Sequence, residues 1–193
     1  MRMRSICLRL LFGLLLLGML TACGAKEKEN RSGSASDEAQ EAQEKTGDKV
    51  FGTFQSQTLE GEDVTQEVFA GADLTMVNIW GTFCGPCIQE MPDLGEISRT
   101  YEGRGFQIVG IISDVEEPQD EAAQEIIEST GADYMHIIAS KGLQLNVLGR
   151  VSVVPTTVFV DKEGAQVGDV YSGSRSKEEW TAIIEELLGE VQP

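Results

Sequence analysis

The chain contains little positive charge and almost no histidine. Its 193 residues include 15 Lys and Arg against 32 Asp and Glu, which gives a formal net charge of −17. Nucleic-acid binding needs a basic surface, as does docking on anionic lipid through charge, so the composition argues against both. The single histidine, His136, lies in an apolar run, where we expect a structural or surface role. A histidine-rich metal site is excluded.

Cysteine is also scarce, and only two cysteines, Cys84 and Cys87, follow residue 23. Structural zinc takes four protein ligands, and no second cysteine pair or histidine cluster is present to complete them. A thiol peroxidase would carry proline and threonine before its reactive cysteine. Thr82 is present, but no proline occurs between Val50 and Cys84. We therefore expect no metal and no bound cofactor, which leaves the chemistry to the two sulfurs.

No apolar run is long enough to span a membrane. The run from Leu10 to Leu20 has 11 residues, whereas a hydrocarbon core of about 30 Å needs roughly 20. A basic start precedes this run, so residues 1–22 are predicted to be a signal peptide. The ending Leu20-Thr21-Ala22-Cys23 resembles the bacterial lipobox, which implies a lipid on Cys23 as the first residue of the mature chain. A plain anchor or cleavable signal, with Cys23 incidental, is the alternative.

Residues 23–49 hold no large apolar side chain, and we interpret them as the lipidated cysteine followed by a flexible linker. A folded domain is predicted over residues 50–193. Two nearly continuous apolar runs, Leu74–Trp80 and Phe106–Ile112, predict buried strands. The other predicted elements are a hairpin turning at 59–63, a helix from Gly85, a helix opened by Pro118 with Ala122 and Ala123 inward and closed by Gly131, a short strand over 134–139, a helical turn over 142–148, a hairpin of 156–160 and 165–171, and a last helix capped by Ser176 and Glu179. This order predicts an α/β sandwich with a mixed central sheet.

The sequence Cys84-Gly85-Pro86-Cys87 lies where a buried strand gives way to a helix. Two cysteines three residues apart in a first helical turn can bring their sulfurs within disulfide distance. The unpaired N–H groups and partial positive charge of a helix N-terminus favour a thiolate at Cys84. We expect Cys84 at the exposed end as the attacking thiol and Cys87, shielded, as the resolving thiol, in an exchange through a mixed disulfide.

The stretch Trp80–Cys87, WGTFCGPC, resembles the active-site signature of the thioredoxin family. Pro92 matches the proline that kinks the active-site helix of that family, and Val154-Pro155-Thr156 matches its cis-proline loop. With the lipobox and Glu90, the chain looks like the membrane-tethered TlpA/ResA group of disulfide reductases. The resemblance implies a thioredoxin-like three-layer α/β/α sandwich with a mixed central sheet and an N-terminal β-hairpin extension.

The resemblance also assigns roles to individual residues. Catalysis would rest on Cys84, Cys87, Glu90 and Pro155, and substrate contacts on Trp80, Phe83, Gly85, Pro86, Val154 and Thr156. We interpret Trp80 chiefly as a packing wall and Phe83 as a flat apolar contact. In the ResA-like group a glutamate at the Glu90 position tunes the cysteines; a solvated surface carboxylate is the alternative. Asn78 replaces the buried aspartate of cytoplasmic thioredoxins and cannot titrate, so another group or water must fill that role.

A Gly-Pro pair between the cysteines resembles thioredoxin, at the reducing end of its family. The predicted function is therefore reduction of disulfides in envelope or secreted proteins; disulfide oxidation or isomerisation, and copper delivery, are the alternatives. The resemblance implies substrates such as an apocytochrome c or a methionine sulfoxide reductase, and a membrane electron donor of the CcdA or DsbD kind. We expect a monomer outside the cytoplasm, held to the bacterial membrane by the lipid on Cys23, with no nucleic-acid partner.

Overall fold

A computed structural model describes residues 49–192. The predicted signal peptide at 1–22, the lipidation site Cys23 and the linker up to residue 48 lie outside the described residues. None of the helices within 49–192 combines the length and the apolar character needed to cross a membrane.

Five strands form the central sheet, and their order places the predicted active-site strand in the middle. Two further strands, β1 (Gln55–Gln57) and β2 (Asp63–Thr65), pair as an antiparallel hairpin, as predicted. The central strands are β3 (Leu74–Trp80), β4 (Phe106–Ile112), β5 (Met135–Ile138), β6 (Thr156–Asp161) and β7 (Gln166–Ser172). They lie in the order β5-β4-β3-β6-β7, with β3, β4 and β5 parallel and β6 and β7 antiparallel to their neighbours. Because β3 is central and covered on both faces, all seven of its residues are buried.

The α-helices of the described residues are α1 (Gly85–Thr100), α2 (Glu121–Thr130), α3 (Lys141–Asn146) and α4 (Lys177–Val191). Residues of α1, α2 and α4 join one hydrophobic core, on the sheet face to which Met76 and Trp80 point. The opposite face, with Val77 and Ile79, packs against Phe51, Phe54 and α3 in a second core. These layers confirm the predicted α/β/α sandwich with a mixed sheet.

The N-terminal hairpin is tied to the edge strand β5. The Ser56 hydroxyl donates to the Ile138 carbonyl at 2.7 Å, and Thr58 forms an antiparallel bridge with Ile137. The hairpin therefore covers an edge that would otherwise expose unpaired backbone groups.

Helix α2 begins three residues later than predicted. Gln119 has a left-handed φ of 62°, and the Asp120 carboxylate then caps the helix by accepting the Ala123 N–H at 2.9 Å. Pro118 is consequently part of the preceding turn. Ala122, which we expected to face inward, is exposed, whereas Ala123 is buried. Residues 114–120 therefore form a turn ahead of the helix.

Candidate active site

The two cysteines begin helix α1 directly after the loop that leaves β3. Cys84 is the N-cap residue, and its Sγ accepts the Cys87 N–H at 3.2 Å. The sulfurs are joined in a disulfide with the Cα atoms 5.3 Å apart, so the structure represents the oxidised protein. Pro92 lies inside the helix, at the expected place. Cys84 is less accessible than we expected: it is 5% exposed, against 1% for Cys87.

The loop before β6 accounts for the burial of Cys84. The Val154 carbonyl oxygen lies 3.5 Å from the Cys84 sulfur, 70 residues away in sequence. The peptide bond between Val154 and Pro155 is cis. The Thr156 hydroxyl donates to the Val153 carbonyl at 2.7 Å and so closes the loop on itself. Pro155 and Thr156 are buried, and Val154 is half-buried beside the disulfide.

An open apolar groove of about 410 Å³ runs between this loop and the residue preceding Cys84. Phe83 projects from its wall with 73% of its surface exposed. Gly85 and Pro86 are exposed at the helix end. The groove is lined by Phe83, Ser113, Leu148, Val151, Ser152, Val153 and Val154. It could accommodate an extended chain segment with apolar side chains next to the disulfide.

A contact that could not be predicted from the sequence holds the loop between β3 and Cys84 in place. The exposed Asp114 carboxylate accepts the Thr82 N–H at 3.0 Å and the Thr82 hydroxyl at 2.5 Å. Asp114 follows the end of β4, the strand parallel to β3, so both loops leave the same edge of the sheet. This bond holds the segment that carries Phe83 and Cys84.

Glu90 lies inside the protein, and the alternative of a solvated surface carboxylate was wrong. It is 3% exposed and lies one helical turn after Cys87. Its Oε1 accepts from Asn78 Nδ2 at 3.1 Å, while its Oε2 accepts from the Arg175 N–H at 3.2 Å and from Trp180 Nε1 at 3.3 Å. Burial raises the pKa of the Glu90 carboxyl, and these donors offset only part of that effect.

Trp80 and His136 form a buried pair on the sheet face that helix α1 covers. Trp80 Nε1 donates to His136 Nδ1 at 3.1 Å, and His136 Nε2 lies 2.9 Å from the Ala132 carbonyl. This pattern requires a neutral ring with the proton on Nε2, and burial lowers the pKa of His136 to about 4. Trp80 is fully buried with the cysteines in one core. It is therefore a packing wall, and its predicted contact with substrate does not fit this position.

The polar partners of Glu90 and Trp80 escaped sequence reasoning because they come from distant parts of the chain. Arg175 and Trp180 are 85 and 90 residues away from Glu90 in the sequence, and His136 is 56 residues away from Trp80. The one available signal was Asn78, a polar residue in an otherwise apolar strand. Within residues 49–192, no group of three or more Cys, His, Asp or Glu side chains is arranged to hold a metal ion.

A thioredoxin-like fold with a disulfide at the N-terminus of helix α1 defines the class of thiol-disulfide oxidoreductases. The sequence profile of the Redoxin family matches residues 34–187. The thiol-disulfide oxidoreductase ResA of Geobacillus thermodenitrificans is 31% identical over 147 residues, which cover 75% of this chain and 81% of that protein. ResA of Bacillus thuringiensis subsp. konkukian is 28% identical over 135 residues, 70% of this chain and 72% of the relative.

Solved structures agree with these relatives. A thiol:disulfide interchange protein of the thioredoxin family from Chlorobium tepidum TLS is 26% identical, with a TM-score of 0.58 over 70% of this chain and 93% of its own. A putative DsbE from Chlorobium tepidum shares the fold. It is 24% identical, with a TM-score of 0.61 over 74% of this chain and 97% of its own. The chain belongs to the Redoxin family and is a thiol-disulfide oxidoreductase of the ResA type with Cys84 and Cys87 as its cysteine pair.

Proposed function

We propose that this protein reduces disulfide bonds of proteins outside the cytoplasm, with Cys84 as the attacking thiol and Cys87 as the resolving thiol. The observation that carries the proposal is the position of Cys84 Sγ, which accepts a helix N-terminal N–H and lies beside an open apolar groove. An N–H donor and the positive end of the helix both stabilise a thiolate. Phe83 and Val154 flank this sulfur, so we assign the groove to the substrate segment that contains the target disulfide.

The exchange balances as a two-electron reduction. The Cys84 thiolate attacks one substrate sulfur, forms a mixed disulfide and releases the other substrate sulfur as a thiolate, which takes up a proton. The Cys87 thiol then loses its proton and attacks Cys84 Sγ, which releases the second substrate thiol. The protein ends with the Cys84–Cys87 disulfide, the state of the present structure.

We assign to Glu90 the proton that leaves Cys87. The carboxyl lies one helical turn from Cys87 and is closed off from solvent. A carboxyl whose pKa is raised by burial binds a proton more readily near neutral pH than an exposed one does. The neighbouring Asn78 cannot take this role because an amide does not titrate.

The reduction potential of the Cys84–Cys87 pair tests the direction of the reaction. The protein is equilibrated with defined dithiol buffers, and the disulfide is read by its mass after alkylation. A reductase should lie below about −200 mV, near the roughly −270 mV of thioredoxin, and a value above about −150 mV would make the protein an oxidant or isomerase.

Cysteine variants test the assignment of the two thiols. Cys87→Ser should retain attack but accumulate mixed disulfides with substrate, because the resolving thiol is missing. Cys84→Ser, the matched control, should be inactive toward insulin disulfides and trap nothing. Trapping by Cys84→Ser in place of Cys87→Ser would reverse the two roles.

We further propose that a lipid on Cys23 holds the protein at the outer side of the bacterial cell membrane. The support comes from the sequence, in which a basic start, a short apolar run, small residues and Cys23 follow one another in the order of a lipoprotein signal. Electrons would then come from a membrane thiol-transfer protein of the CcdA or DsbD kind and pass to substrates such as an apocytochrome c or a methionine sulfoxide reductase. Cys23→Ala should abolish lipid labelling, and a variant that still resists carbonate washing would exclude the anchor.

A further inference from the structure

Asn78 lies in the central strand β3, on the sheet face that helix α1 covers. The register pairs Asn78 with Gly110 on one side and with Thr157 on the other. Both hydrogens of the Asn78 amide are used: Nδ2 donates to Glu90 Oε1 and to Thr157 Oγ1, each at 3.1 Å. The amide oxygen of Asn78, Oδ1, is buried and has no hydrogen-bond partner. A buried acceptor without a partner is costly, so this arrangement calls for a reason.

The groups around Glu90 suit a carboxylate and not a carboxylic acid. The Arg175 N–H and the Trp180 indole N–H can only donate, and they occupy Oε2. Asn78 donates to Oε1 in the same way. If Glu90 gained a proton, the new O–H group would meet only hydrogen-bond donors and would have no acceptor among these three groups. Asn78 is the one member of this set that can change from donor to acceptor, because its amide carries both functions.

Turning the Asn78 amide by 180° exchanges Nδ2 and Oδ1 with almost no change of shape. In the turned state, Oδ1 could accept the proton of Glu90 with one lone pair and the Thr157 hydroxyl with the other. We propose that the Asn78 amide turns over when Glu90 gains a proton, so that Asn78 keeps Glu90 hydrogen-bonded in both of its protonation states. Asn78 is thus a positioning residue for proton exchange between Glu90 and Cys87. This rests on the proposed role of Glu90.

Glu90 is the group that changes charge in this environment. On α1, Cys87 holds no proton in the oxidised protein, because it is in the disulfide. Ahead of α4, the Arg175 guanidinium lies over the Tyr171 and Trp180 rings, and an arginine side chain does not give up its proton in proteins. Before β5, burial raises the pKa of Tyr134, so this phenol stays neutral below pH 9. Measurements on the oxidised protein therefore isolate the titration of Glu90.

The turn can be observed by NMR on the full-length oxidised protein in detergent. The Glu90 carboxyl carbon is followed between pH 5 and pH 9, together with the nuclear Overhauser effect between the Asn78 amide protons and the Thr157 methyl group. We expect this effect at high pH, when Glu90 is ionised, and its loss with the same midpoint as the Glu90 titration. In Glu90→Gln the effect should not change with pH. An effect that persists through the Glu90 titration, or a Glu90 that does not titrate, overturns the proposal.

A kinetic experiment separates this proposal from the role of Glu90 itself. The rate at which Cys87 resolves a preformed mixed disulfide is measured against pH for Asn78→Leu, which removes both the donor and the acceptor. We expect resolution to slow by about ten-fold or more, with no further loss in the double variant Asn78→Leu/Glu90→Gln. Thr157→Val keeps the Asn78–Glu90 bond but removes the second partner of the Asn78 amide, so it should slow the reaction less than Asn78→Leu does.

The outcomes of the kinetic experiment are distinct. An unchanged rate in Glu90→Gln would reject the proposed base. A slow Glu90→Gln beside a normal Asn78→Leu would keep that base and reject the role of Asn78. If Asn78→Leu fails to fold, as judged by circular dichroism, the NMR measurement on the unaltered protein decides.

Discussion

Acidification should destabilise this protein through its buried histidine. His136 Nδ1 accepts from the Trp80 indole, and its Nε2 donates to a carbonyl, so the neutral ring is fully satisfied. Protonation would place a second N–H against the Trp80 N–H inside the core. Burial accordingly lowers the pKa of His136 from 6.5 to about 4.

The magnitude follows from this difference in pKa. Between pH 6.5 and pH 4 the unfolded chain binds a proton at His136 that the folded protein does not, so the free energy of unfolding falls as the pH falls. One pKa unit corresponds to about 1.4 kcal/mol, and moving from pH 7 to pH 5 should therefore cost about 2 kcal/mol. The lower limit of pH 5 stays above the isoelectric point near 4.3.

Urea unfolding of the protein and of His136→Gln at pH 7, 6 and 5, followed by far-UV circular dichroism, measures this effect. The carboxylates titrate in both proteins, so the informative quantity is the difference between their two pH dependences. On acidification from pH 7 to pH 5, we expect the free energy of unfolding of His136→Gln to fall by about 2 kcal/mol less than that of the unaltered protein. If the free energy of unfolding falls by the same amount in both proteins, within an extrapolation error of about 0.5 kcal/mol, the reasoning is refuted.

Two further predictions concern the same buried layer. A Cβ at Gly110 would lie 2.3 Å from His136 Nδ1, so Gly110→Ala should lower the free energy of unfolding by more than about 2 kcal/mol. Gly189→Ala, where a Cβ meets nothing within 4 Å in α4, should instead stabilise by up to about 1 kcal/mol; equal effects would contradict the packing argument. Because burial raises the pKa of Glu90 above its ordinary 4.5, the folded protein resists ionisation, and its stability relative to Glu90→Gln should fall as the pH rises from 5 to 8. A rise in urea midpoint relative to the variant would contradict this direction.

Most of the fold could be predicted because its signals are local. The strand Leu74–Trp80 and the capping box of Ser176 and Glu179 were read from neighbouring residues, and both are present as predicted. The start of α2 could not be read this way, since it depends on a left-handed Gln119 and on the Asp120 cap. Proline at a first helical turn is a preference, and here the cap overrides it.

By itself, the sequence determined the class of this protein, because the spacing of Cys84 and Cys87 at a strand–helix junction is a local arrangement that the backbone of a first helical turn enforces. The environment of those cysteines was decided by tertiary structure. The Val154 carbonyl covers Cys84 from 70 residues away. Glu90 lies inside the protein because α4 and the segment before it close over it with the Trp180 and Arg175 N–H donors. Burial and hydrogen bonding are set by residues that meet only when the sheet and helices pack together, and these contacts govern which groups can exchange a proton.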